Sequence, residues 1–160
     1  MIIRRCRAEE ADAVADMVQA LAKDSGSSVL PKVTGDQIRK HAFSATPLIW
    51  CYVAELENEL IGTILLEPIF STWRGQKGFY IVDLYVSAHH RGKGVGEMLI
   101  RLAASEGLAA GFEFMRLEVE QHNRRAADLY LRLGFKEDST RMMILSKVDL
   151  EQLIAKKPTR

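Results

Sequence analysis

Residues 86–99 place three glycines and two fixed cations where a strand hands over to a helix. The segment runs Val86-Ser87-Ala88-His89-His90-Arg91-Gly92-Lys93-Gly94-Val95-Gly96-Glu97-Met98-Leu99. Val95, Met98, Leu99, Leu102 and Ala103 recur with helical spacing, so the inner face of that helix is set and its first turn falls within Gly92–Gly96. The first N–H groups of a helix have no internal partner, and they carry the positive end of the helix dipole. Glycines let an anion approach those groups closely. A turn of this kind grips a phosphate or diphosphate, with Arg91 and Lys93 adding charge-assisted contacts. The alternative is a tight glycine turn that holds nothing. A Walker A loop, GxxxxGK[ST], does not fit, because Gly92-Lys93 is followed by Gly94 and position 87 is serine. A GxGxxG dinucleotide fingerprint does not fit either, because the third glycine, Gly96, arrives one residue early and Glu97 holds its place. The spacing R-x-x-G-x-G fits, through Arg91, Gly94 and Gly96.

A second group lies between Asn123 and Phe135. Asn123 can cap a helix and Gly134 can end it as the C′ residue. Tyr130 follows Asn123 by about two helical turns, so both lie on one side. Ala126 and Ala127 are small enough there for a ligand to lie along the helix. The plainer reading makes Asn123 a cap only and Tyr130 a core aromatic. Asp83 is a third candidate, since it interrupts the apolar strand Phe79–Val86. Period-two alternation puts Val82, Leu84 and Val86 on one face and Asp83 and Tyr85 on the other. A carboxylate on such a strand either does chemistry or simply pairs with a cation such as Arg116.

These residues need a frame. Strands are expected at 2–7, 48–55, 60–69, 79–86, 113–120 and 140–148, and helices at 9–23, about 34–44, 94–109 and 123–133. Glu57-Asn58-Glu59 should turn a hairpin, and residues 24–33 and 71–78 should be loops. The order mixes hairpins with strand–helix–strand units, so a mixed sheet with helices on both faces follows. One domain over 1–155 is expected, with a frayed tail at 156–160.

Composition narrows the function. The chain has 160 residues, 48% of them hydrophobic and 27% charged, the profile of a globule with its own core. With 22 basic and 21 acidic residues the net charge is +1, which argues against a nucleic-acid partner. No long apolar run and no secretory leader is seen, so a cytoplasmic protein with no membrane partner is expected. Cys6 and Cys51 sit in apolar stretches as reduced thiols with no histidine at a suggestive spacing. His41, His89, His90 and His122 complete no metal cluster, so no metal is expected.

Asp83-Leu84-Tyr85-Val86, Arg91-Gly92-Lys93-Gly94-Val95-Gly96 and Asn123-x-x-Ala126-x-x-x-Tyr130-x-x-x-Gly134-Phe135 together resemble the GNAT superfamily of N-acetyltransferases. The resemblance spans nearly the whole chain. Ser71-Thr72-Trp73-Arg74-Gly75 ahead of Asp83 resembles the diamine (spermidine/spermine) acetyltransferase branch, although Val82 stands where that branch carries a glutamate. The resemblance implies an α+β fold, with a mixed, mostly antiparallel sheet of six to seven strands, splayed at 79–86. It implies acetyl-CoA as donor and a primary amine as acceptor. The amides of 91–96 would hold the diphosphate, Leu84, Tyr85 and Val86 the pantetheine arm, and Asn123 a further part of the donor. Tyr130 would protonate the departing thiolate. A homodimer is implied as well.

Transfer needs a neutral amine, and a free amine of pKa ~10 is mostly protonated at neutral pH, so a base is required. Asp83 or a water chain could serve, with Glu118 and Glu120 on the next strand as further carboxylates. The oxyanion formed by attack would take an N–H from Leu84 or a neighbour. A small-molecule N-acetyltransferase is the first expectation. A lysine or N-terminal protein acetyltransferase and a non-catalytic acyl-CoA sensor are the alternatives. Trp73, Arg74 and the 24–33 loop are candidates for the acceptor side, and Arg124 and Arg125 for a phosphate or a solvated surface.

Overall fold

The computed structural model describes residues 1–139 and 145–155. Five strands form one sheet in sequence order: β1 (Ile2–Arg5), β2 (Trp50–Leu56), β3 (Glu59–Ser71), β4 (Gln76–Val86) and β5 (Phe114–Leu117). The first four are antiparallel neighbours, and β5 joins β4 in parallel. The mixed, mostly antiparallel sheet is therefore present, with five strands among the described residues rather than six to seven.

The expected strand at 140–148 accounts for the difference. Residues 140–144 lie outside the described residues, while Lys147–Ala155 is a helix, α5. Ser146 and Asp149 start it: the Asp149 N–H donates to Ser146 Oγ at 3.3 Å, and the Ser146 N–H donates to Asp149 Oδ2 at 3.1 Å. That reciprocal Ser-x-x-Asp box is a helix-start signal, and it makes 147–148 helical rather than the end of a strand.

Two helices cover one face of the sheet, α1 (Ala11–Asp24) and α2 (Gly35–Ala42), and α3 (Val95–Ala109) covers the other. Ala11, Val14, Ala15 and Val18 of α1 and Ile38 of α2 are buried against Cys51, Val53 and Leu65. Val95, Leu99, Ile100 and Ala103 of α3 are buried against Tyr52, Ile64, Leu66, Phe79 and Ile81. The helical stripes that the sequence displays are thus the two core faces. Thr34 caps α2, accepting from the Gln37 N–H at 3.3 Å. Helix α4 (Arg124–Arg132) follows β5.

One loop and one strand are shorter than expected. Strands β3 and β4 extend the hairpin to Ser71 and Gln76, so only 72–75 is a turn. At its tip Trp73 is fully exposed. Strand β5 ends at Leu117 rather than at 120 because its partner leaves it: the β4–β5 pairing runs only from Gly78–Phe114 to Ile81–Leu117.

Candidate active site

The parting of β4 and β5 is the first feature of the site. Across β3, Leu66 pairs with Ile81 but Leu65 pairs with Asp83, so Val82 is an extra residue, a β-bulge. Strict alternation fails at this point. Ile81 packs on the α3 side, and so do Leu84 and Val86, while Asp83 faces the α1–α2 side with Leu65. The sequence carried this signal: the apolar positions switch from odd (Phe79, Ile81) to even (Leu84, Val86) across one residue. Beyond the bulge, Leu84, Tyr85 and Val86 pair with β3 on one edge and, among the described residues, with no strand on the other.

The glycine turn lies at the end of this edge. Gly92 and Gly94 have φ of 77° and 82°, the left-handed region that glycine adopts without strain. Gly94 is the N-cap of α3, and no side chain caps the helix. A β-carbon on Gly94 would meet nothing within 4 Å, so the turn opens outward. Uncapped amides beside open space fit an anion. Gly96 faces inward, its hypothetical β-carbon 3.6–3.8 Å from Leu129, Leu84 and Val86. Arg91 is held by the protein itself. Its Nε donates to the Val86 carbonyl at 2.8 Å, and its Nη2 pairs with Asp24 at the end of α1.

Helix α4 supplies the opposite wall. The Asn123 side chain caps it, accepting from the Ala126 N–H at 3.2 Å. At its other end Gly134 has φ 93°, and the Phe135 N–H returns to the Tyr130 carbonyl at 3.0 Å. This is a Schellman ending, and its apolar contact is the T-shaped pair of the Phe135 and Tyr130 rings, whose centres lie 5.6 Å apart. Tyr130 is half-buried, and its hydroxyl has no hydrogen-bond partner among the described residues. Burial pushes its pKa up to about 12.

These three features enclose one cleft of about 690 Å³, within the usual size of a cofactor site. It brings together Leu84, Tyr85, Val86, Arg91, Gly92, Gly94, Val95, Gly96, Asn123, Ala126 and Tyr130. Lys93 and Asp83 do not line it. Sequence reasoning missed Leu21 on α1 and Arg132 on α4, while Asp24 and Ser25, which begin the 24–33 stretch expected on the acceptor side, line this cleft instead. Arg124 and Arg125 line the cleft too, with Arg125 Nη2 3.8 Å from the β-carbon position of Gly92. Arg124, Arg125 and Arg132 have no ion-pair partner among the described residues, so the wall is electropositive.

Asp83 stands across the strand from the cleft. Desolvation first, and then the charge of Glu67, hold its carboxyl above the ordinary carboxylate range. Its pairing with Arg116 does not occur; that guanidinium lies 5.7 Å from the Tyr80 ring centre instead. Cys6 and Cys51 are buried free thiols. The Cys6 thiol beside it, together with burial, pushes the Cys51 thiol well above its ordinary value, which disfavours a thiolate nucleophile. Among the described residues no cluster of three metal-ligating side chains occurs.

Residues 15–135 match the family model described as acetyltransferase (GNAT) family. The chain belongs to this family. Relatives agree: the thialysine N-epsilon-acetyltransferase of Bos taurus is 30% identical over 145 residues, covering 86% of this chain and 85% of the relative. The enzyme of the same name from Mus musculus is 31% identical over 143 residues, covering 84% of each chain. The solved structure of a probable acetyltransferase superposes with a TM-score of 0.78 at 22% identity, covering 92% of this chain and 99% of that one. An aminoglycoside acetyltransferase from an uncultured soil metagenomic sample gives a TM-score of 0.76 at 18% identity, over 91% and 96%. The GNAT chain is an acetyl-transferring enzyme, and its family uses acetyl-CoA as co-substrate. No described helix is long and apolar enough to cross a membrane.

Proposed function

We propose that this GNAT chain transfers the acetyl group of acetyl-CoA directly to a primary amine of a small molecule. The observation that carries the reading is the single cleft in which the unpaired edge of β4, the uncapped glycine turn and the Tyr130 phenol converge. In it, amides of residues 92–96 bind the diphosphate, the Leu84–Val86 edge aligns the pantetheine arm, and Asn123 and Ala126 flank that arm. Arg124 and Arg125 add positive charge near the phosphates.

The amine enters from the α1–α2 side, where Asp83 lies. With its raised pKa, Asp83 is a stronger base than an ordinary carboxylate and takes a proton from the ammonium directly or through water. The neutral amine then attacks the thioester carbon. The backbone at the Val82 bulge presents an N–H, from Leu84 or a neighbour, to the oxyanion. As the C–S bond breaks, the Tyr130 hydroxyl gives its proton to the thiolate. A phenol with pKa of about 12 stays protonated at any working pH, so this donor is always loaded.

The relatives named for thialysine, a molecule with two amino groups, support a diamine-like acceptor. The test is thiol release from acetyl-CoA across thialysine, lysine, polyamines, aminoglycosides and lysine peptides. Turnover with one of the small amines is expected, and Tyr130→Phe should lower it by about 10²-fold. Turnover on peptides alone would reverse the acceptor assignment. Binding of acetyl-CoA with no turnover on any amine would make the chain a sensor.

A further inference from the structure

The ion pair between Arg91 and Asp24 joins residues 67 positions apart. Asp24 is the last residue of α1, and with Leu21 and Ser25 it lines the same cleft as the glycine turn. An anion in the wall of a diphosphate pocket is repulsive unless a cation neutralises it, and here Arg91 does so. The Arg91 guanidinium is held on two further sides. Its Nε binds the Val86 carbonyl at 2.8 Å, and its carbon lies 5.8 Å from the Tyr85 ring centre. It is thus clamped between the end of β4, the end of α1 and an aromatic face. Among the cleft's guanidiniums, those without an ion-pair partner among the described residues are Arg124, Arg125 and Arg132.

We infer that Asp24 is a positioning residue for the donor turn. Through Arg91 it fixes Gly92–Gly96 against β4 and α1, and the Arg91 side chain is a brace rather than a phosphate ligand. The phosphates take their charge partners from α4. This rests on the cleft being the acetyl-CoA site, and it goes further by tying the α1 terminus to the geometry of that turn. The sign of one measurement separates the two roles. If Arg91 braces the turn, removing Asp24 loosens the turn and weakens donor binding. If Arg91 is a phosphate ligand that Asp24 competes for, removing Asp24 tightens binding.

The experiment is calorimetry on the full chain with CoA and with S-acetylpantetheine, which has no phosphate. Asp24→Asn is expected to weaken CoA binding about tenfold and to leave S-acetylpantetheine within about twofold. Asp24→Glu should recover most of the loss, since it restores the carboxylate. Asp24→Asn combined with Arg91→Ala should be no weaker than Arg91→Ala alone, as for two residues acting as one unit. Unchanged or tighter CoA binding in Asp24→Asn overturns the brace. Parallel loss for both ligands overturns it too, since the effect is then not on the phosphate turn. Failure of the unaltered chain to bind CoA overturns the donor cleft itself, and the brace with it.

Discussion

At the scale of single residues, the site sets two titrating groups on opposite sides of one strand. Asp83 carries a raised pKa because it is desolvated and faces Glu67. A carboxyl whose folded-state pKa is raised stabilises the fold at low pH, and that contribution is lost as pH rises through the folded value. Asp83→Asn should therefore raise Tm at pH 8, by about 2 °C or more, with little change at pH 3. The same substitution should lower turnover and remove the acid limb of the rate profile. Melting curves at the two pH values, read beside initial rates, check both halves. Tyr130 titrates too high to shape that profile, so Tyr130→Phe should lower the rate by a similar factor from pH 6 to pH 9. Both positions stood out in the sequence, Tyr130 by its two-turn spacing from Asn123 and Asp83 by its intrusion into an apolar strand, though the structure lines the cleft with Tyr130 and not with Asp83. The pairing of Asp24 with Arg91 did not, because it is a packing contact across 67 positions that no local pattern encodes.

At the scale of elements, α4 shows how a helix aims a side chain. Its start is fixed by the Asn123 cap and its end by the Schellman turn at Gly134. Phe135, placed by that turn, forms a T-shaped ring pair with Tyr130. Gly134→Ala forces an alanine to φ 93° and should cost about 1 kcal/mol. The Tyr130 ring then loses its support, so kcat should fall about five- to tenfold while the KM for acetyl-CoA changes little. Steady-state kinetics with both substrates varied will show whether kcat alone moves. Helix ends were readable from sequence to within a residue or two, because caps are local chemistry: α3 begins at Val95 and α4 at Arg124. The extent of β5 was not, because a strand lasts only as long as its partner and that partner is bulged.

At the scale of the whole molecule, two apolar faces hold the sheet between helices, and the cleft is cut where the sheet divides. A donor that binds only the folded chain stabilises it by about 2.7 kcal/mol at 100-fold excess over Kd, which for a chain of this size is about 5–10 °C in Tm. Gly94→Glu puts a carboxylate and a left-handed strain into the anion turn, and should abolish this shift. A thermal melt with and without CoA tests it. The fold class was legible because helical stripes and alternating strands are imposed by burial. Of the strand expected at 140–148, residues 140–144 lie outside the described residues, and its last two, 147–148, belong to the helix Lys147–Ala155 that a capping box starts.

The bulge makes the cleft depend on one surplus residue. Excising Val82 would leave Ile81, Asp83, Leu84, Tyr85 and Val86 pointing as they do now, but in an unbroken pleat. Such a strand could run on beside residues 118–120 and zip the crevice shut. The shortened chain should melt as cooperatively as its parent yet take up no coenzyme A, a stable enzyme disarmed by subtraction.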